Sequence, residues 1–148
     1  MRVEGSVWVC RSPREVFDYL SDPGHSACWT AGLMEARTTS GGLVAPGTTL
    51  YVLGNLLGER LESSAEVTHY ERDRTLCCKS VSGPVPYWVR LTLDRLGTGV
   101  EVTGTIEADV RFFRLPEEVV RRVAQRQLEH DLATLRDLIE AHFPRVPP

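Results

Sequence analysis

With 148 residues, 42% of them hydrophobic and 25% charged, the chain has the length of one domain and the composition of a globular one. A net charge of -3 and a pI near 5.8 give no electrostatic reason to approach a phosphate backbone, which argues against nucleic acid as a partner. No segment reaches the roughly 18 apolar residues of a membrane span, and the stretch Met1 to Arg11 lacks a signal h-region, so the expectation is a cytoplasmic chain without stable membrane insertion.

Val3, Val7 and Val9 alternate with Glu4, Ser6 and Trp8, the period of a half-buried strand ending near Cys10. Ser12-Pro13-Arg14-Glu15 then reads as a capping box, with proline where a helix's first N–H has no partner anyway. Val16, Phe17 and Leu20 supply the apolar stripe of a short helix. Asp22-Pro23 caps a second helical turn that reaches Trp29.

From there the signals are those of an antiparallel meander. Strands are predicted near Leu33 to Thr38, Thr48 to Gly54, Glu59 to Glu71, Thr75 to Val81, Tyr87 to Leu96 and Gly99 to Val110, separated by turns rich in glycine and proline. In the last of these, Val100, Val102, Gly104, Ile106, Ala108 and Val110 share one face while Glu101, Thr103, Thr105, Glu107 and Asp109 share the other, so one side is covered and one is wet. The strand after Thr48 has no clear parity, because Leu50 and Val52 compete with Tyr51 and Leu53. A face change or bulge is expected near His69.

A long helix is predicted from Pro116 to His142, with acids in its first turn and an apolar arc of Val119, Val120, Val123, Ala124, Leu128, Leu132, Leu135, Leu138 and Ile139. The fold class is therefore α+β: two short helices after the first strand, a curved seven-stranded antiparallel sheet, and a long C-terminal helix closing it over an apolar interior. One domain is expected over residues 1 to 143, with 144 to 148 a loose tail.

The four cysteines, Cys10, Cys28, Cys77 and Cys78, form no CxxC pair and have no zinc-type histidine spacing beside them, so no metal site is expected. No phosphate-binding glycine loop, Gly-x-Ser-x-Gly elbow or HExxH is present, and no cofactor is expected. Sixteen of the seventeen basic residues are arginine, a bias typical of a bacterial source.

The element order, together with Val9, Ser12-Pro13-Arg14-Glu15-Val16-Phe17, Asp22-Pro23 and Trp29, resembles the helix-grip fold of the SRPBCC superfamily, which includes START-type and birch-pollen-allergen-type domains. Gly47-Thr48, Leu57-Gly58-Glu59-Arg60, Glu66 to Glu71, Ser82-Gly83-Pro84 and Gln127 to Leu132 are similar to its polyketide cyclase/dehydrase branch. The resemblance implies a hydrophobic cavity between long helix and sheet, able to hold a polyketide, lipid or terpenoid. It transfers no catalytic residue, because these motifs are caps, turns and core positions.

Polar residues on covered faces are the candidates for chemistry. Gln127 and Asp131 fall within the apolar arc of the last helix, where an unpartnered carboxylate would be costly. Asp131 is either satisfied by protein, by a strand hydroxyl or an arginine, or serves as an acid/base or ligand-anchoring group with a raised pKa. Tyr87 shares parity with Val89 and Leu91 and is either a core aromatic or a donor into the cavity. Ser63 and Ser80 share the covered parity of their strands. Ala124 and Leu128 on the helix, and Trp29 and Phe112 at a possible rim, complete the expected ligand-binding set. Two functions compete: a cyclase or dehydratase acting on a hydrophobic intermediate, and a non-enzymatic carrier. A protein-interaction module is a third reading. The oligomeric state is left open.

Overall fold

The structure, a computed structural model, describes residues 1–145; the last three positions of the expected tail lie outside the described residues. Chain order is β1 (Arg2–Val9), α1 (Pro13–Leu20), α2 (Pro23–Trp29), β2 (Leu33–Thr38), β3 (Thr49–Leu56), β4 (Glu59–Glu71), β5 (Thr75–Ser82), β6 (Tyr87–Leu96), β7 (Gly99–Ala108), a 3-10 turn (Arg111–Phe113) and α3 (Glu117–His142). This is the expected helix-grip architecture. Pro116 stands at the N-cap of α3 rather than inside it, so the helix begins one residue later than predicted. Val119 and Val123, expected in its apolar arc, are exposed and fall outside it.

The seven strands form one antiparallel sheet in the order β1-β7-β6-β5-β4-β3-β2. Only β1 pairs out of sequence, with β7, and that pairing places the first strand beneath the last helix. The Ser12 capping box forms as predicted: Ser12 Oγ accepts from the Glu15 N–H at 3.2 Å and the Glu15 carboxylate accepts from the Ser12 N–H at 3.0 Å. Asp22 caps α2 by accepting from the Gly24 N–H at 2.9 Å. The register of β4 on β5 shifts between Val67 and His69, where a bulge was expected.

The core is made where α1 and α3 meet β1, β6 and β7, through Val9, Val16, Phe17, Val100, Val102, Leu132, Leu135 and Ile139. Close approach depends on two glycines. Gly5 and Gly104 face each other across β1 and β7, and a Cβ on Gly5 would lie 3.3 Å from Leu132 Cδ1, while one on Gly104 would lie 3.4 Å from Leu128 Cδ1. The helix is seated on bare backbone. Its C-terminus is held by Arg11, a residue with no signal in the sequence pattern. That guanidinium, 7% exposed, donates from Nε to the Phe143 carbonyl at 2.5 Å and from Nη2 to the Glu140 carbonyl at 2.6 Å. It thereby meets carbonyls that a helix end leaves without donors. The Glu140 side chain answers by accepting from the Cys10 N–H at 3.1 Å.

Candidate functional site

Away from β1, α3 does not press on the sheet, and the gap is a cavity of about 260 Å³. Its walls come from β3 to β7, α3, and the segment from Leu20 through α2 to Leu33 and Ala36. In β3 it is Leu50 and Val52 that line the cavity, which decides the parity; Tyr51 points outward, donating to Glu62 at 2.7 Å beneath the Arg37 guanidinium. Val89, Leu91, Ile106 and Leu128 make the apolar floor and roof, and Trp29 closes one side. The polar groups are few: Ser21, Ser26 and Thr30 in and around α2, Cys78 and Tyr87 on the sheet, and Asp131 on α3. Such a lining, apolar with a handful of placed polar groups, is the usual makeup of a small-molecule site.

Asp131 is 4% exposed. Its Oδ1 accepts from the Ala31 backbone N–H at 3.1 Å and from Gln127 Nε2 at 2.7 Å. Gln127, one turn earlier on the same helix, therefore positions the carboxylate rather than forming cavity wall. Oδ2 has no described hydrogen bond, yet it is absent from the fully enclosed unpartnered atoms, of which Asp73 Oδ1 is the one found among the described residues. One carboxylate oxygen is thus fixed, and the other has no described partner on a residue that lines the cavity. Burial pushes this carboxyl above its ordinary value, more than the two hydrogen bonds pull it down. The partners anticipated for a structurally satisfied Asp131, a strand hydroxyl or an arginine, are replaced by a backbone amide and a carboxamide. No sequence pattern announces an amide supplied by a loop 100 residues away.

Tyr87 lies on the sheet side, with its hydroxyl 3.0 Å from Ser63 Oγ and its backbone N–H donating to Ser80 Oγ at 2.9 Å. Desolvation raises the phenol's pKa. Ser63 and Ser80 hold Tyr87 and are not themselves in the cavity lining. Gly83, at φ 123°, packs against Ser63 so tightly that a Cβ there would come within 2.8 Å of the serine Cβ. No hydrogen bond joins Tyr87 to Asp131, so the candidate catalytic residues form two separate stations. Cys78 adds a half-buried thiol in the cavity lining, pushed by desolvation up to about 11.

Besides Ser63 and Ser80, two more of the expected ligand-binding residues stand outside the lining. Ala124 packs against the core. Phe112, 43% exposed, lies with Phe113, Leu57 and Leu115 in a separate surface recess, because the 3-10 turn carries it outside the helix–sheet gap. Ser21, Ser26 and Thr30, by contrast, reach the cavity though nothing in their local pattern distinguishes them from helix-end polar residues. Among the described residues no three His, Cys, Asp or Glu side chains gather in a group able to hold a metal ion, and no helix is long and apolar enough to cross a membrane.

A long helix gripped by a curved antiparallel sheet, with an apolar cavity between them, defines a helix-grip ligand-binding domain. The chain belongs to the family described as polyketide cyclase/dehydrase and lipid transport, whose profile matches residues 1–140. Hydrophobic-ligand binding comes with that membership. Among solved structures, a protein of Thermus thermophilus is similar with a TM-score of 0.82 at 15% identity, covering 97% of this chain and 100% of that one. A START superfamily protein from Mycobacterium smegmatis gives 0.76 at 16% identity, over 96% and 99% of the two chains. The ZhuI aromatase/cyclase from Streptomyces sp. R1128 gives 0.74 at 15% identity, over 96% and 94%. At such identities these likenesses concern the fold. No curated protein sequence matches the chain.

Proposed function

We propose that the domain binds a hydrophobic small molecule in its cavity and performs acid/base chemistry on it, as a polyketide cyclase/dehydratase-like biosynthetic enzyme. The observation that carries this reading is Asp131: a carboxylate in the apolar lining of the cavity, held through Oδ1, with no described hydrogen bond to Oδ2. A pKa raised by burial brings a carboxylate closer to the pH at which it both takes and returns a proton. In a dehydration, Oδ2 would remove a proton from the carbon next to a ketone. The resulting carboxylic acid would return that proton to the departing β-hydroxyl, so that water leaves and a carbon–carbon double bond forms. In a cyclisation, the same proton removal would give an enolate that attacks a second carbonyl. Tyr87, when Ser63 donates to it, keeps its own O–H for a substrate oxygen. All four cysteines are free thiols, which suits the cytoplasmic setting that completes the proposal.

The test is proton exchange in D2O at the α-carbon of a naphthyl 1,3-diketone, followed by NMR, with dehydration of the matching β-hydroxy ketone followed by absorbance. Acceleration by the wild type and its loss in Asp131→Asn support an enzyme; no acceleration over buffer, with the diketone shown to be bound, rejects it. The lining, apolar apart from six residues, favours a second reading, a non-enzymatic carrier of a hydrophobic metabolite or lipid. Binding without exchange is the outcome that selects it.

A further inference from the structure

We infer that the ligand is a compact molecule of one or two rings bearing an O–H or N–H donor, and that Asp131 Oδ2 takes this donor. The inference rests on the cavity-binding reading above and on two independent features, the size of the cavity and the state of one oxygen atom.

Size comes first. At about 260 Å³ the cavity is small for a ligand site. Such a volume favours a fused bicyclic over a long acyl chain or a two-chain lipid. It also lies below the roughly 300 to 1,000 Å³ typical of drug-sized sites.

The oxygen sets the chemistry. Oδ1 is already shared between the Ala31 N–H and Gln127 Nε2, while Oδ2 has no described partner. Among the described residues no arginine or lysine acts on the carboxylate, and the one ionisable neighbour that does, His130, sits on the exposed side of α3. A carboxylate in an apolar wall with an empty acceptor position penalises any ligand that brings an ether or ester oxygen there, and rewards one that brings a donor. The discrimination is of the kind in which a site built for a hydroxyl rejects the analogue lacking it. A hydroxyl and an ammonium group share this chemistry, and binding measurements separate them.

The experiment is calorimetric titration of the full chain with naphthol, its methyl ether, naphthalenemethylamine and palmitate. Either donor-bearing bicyclic should bind at least roughly tenfold more tightly than the ether, the weight of one hydrogen bond to a charged group. The order of the two distinguishes hydroxyl from ammonium. Palmitate should bind weakest. In Asp131→Asn the carboxamide oxygen can keep the Ala31 contact while its N–H2 turns to the cavity, so the preference should reverse in favour of the ether. Thermal melting shows that this variant is folded. Equal affinity of naphthol and ether in the wild type overturns the inference and leaves cavity binding standing, as does palmitate binding more tightly than naphthol. Failure of every probe to bind overturns the cavity reading and this inference with it.

Discussion

Replacing Arg11 by methionine keeps an apolar stem of similar length and removes the guanidinium that closes the C-terminus of α3. Three hydrogen bonds are lost, to the carbonyls of Cys10, Glu140 and Phe143. Hydrogen bonds to a charged group contribute about 1.5 to 3 kcal/mol each, but three such terms do not sum. The wild type also bears the desolvation of a cation with 7% exposure, and the variant's carbonyls recover some water at the helix end. The net loss should be about 3 kcal/mol, within a range of roughly 2 to 5. For a chain of this size each kcal/mol moves the melting temperature by about 2 to 4 °C, so a fall of roughly 6 to 12 °C is expected. Urea denaturation followed by far-UV circular dichroism measures it, with an unchanged m-value as the sign that only stability moved. Arg11→Lys, which keeps the charge but loses the planar fork, should recover part of the loss. A methionine variant within about 0.5 kcal/mol of wild type would refute the reasoning, since that is the ordinary scatter of surface substitutions.

Three further outcomes follow from the site. Because burial holds the Asp131 carboxyl above its ordinary value, the folded state keeps a proton that the unfolded chain has already released. Stability from this group therefore falls as pH rises from the ordinary carboxylate range through the folded value. Asp131→Asn should gain on the wild type between pH 4 and pH 7 in urea titrations, and a difference that does not change with pH would contradict the assignment. Gly83→Ala should cost about 1 to 3 kcal/mol through its positive φ and its contact with Ser63, and should shift the ultraviolet titration of Tyr87; a neutral effect on both would show that the hairpin absorbs the methyl freely. Cys78, with its thiol pushed up to about 11, should resist an aromatic disulfide reagent at pH 8 while exposed Cys28 reacts, as read by peptide mass spectrometry; labelling of Cys78 as fast as in the unfolded chain would rule out the described burial.

Much of the fold was legible because the devices that make it are local. Ser12 and Glu15 cap a helix within four residues, and alternation marks the buried face of β7 at Val100, Val102 and Gly104, though Thr105, expected on the wet face, is buried as well. β3 was harder, since Leu50 to Leu53 are all apolar or aromatic; only the pairing of Tyr51 with Glu62 and Arg37 turns that ring outward. The site was legible in its chemical type and less so in its arrangement. An acid in an apolar helical arc marked Asp131, but its partner Ala31 acts through a backbone amide, which any residue except proline would provide. Strand parity put Ser63 and Ser80 on the covered side correctly and could not say that they would be used up holding Tyr87. Phe112 went astray because a 3-10 turn, with Arg114 following at φ 53°, redirects the chain before α3 begins.

The facing glycines of β1 and β7 make the container adjustable at a single point. Helix and sheet touch closely at Gly5 and Gly104, and Gly104 is itself part of the cavity lining. A methyl group at Gly5, 3.3 Å from Leu132 Cδ1, would require that side chain to give by a few tenths of an ångström where the helix is seated. The seating of the helix over the cavity can thus be tuned from Gly5, a position outside the lining.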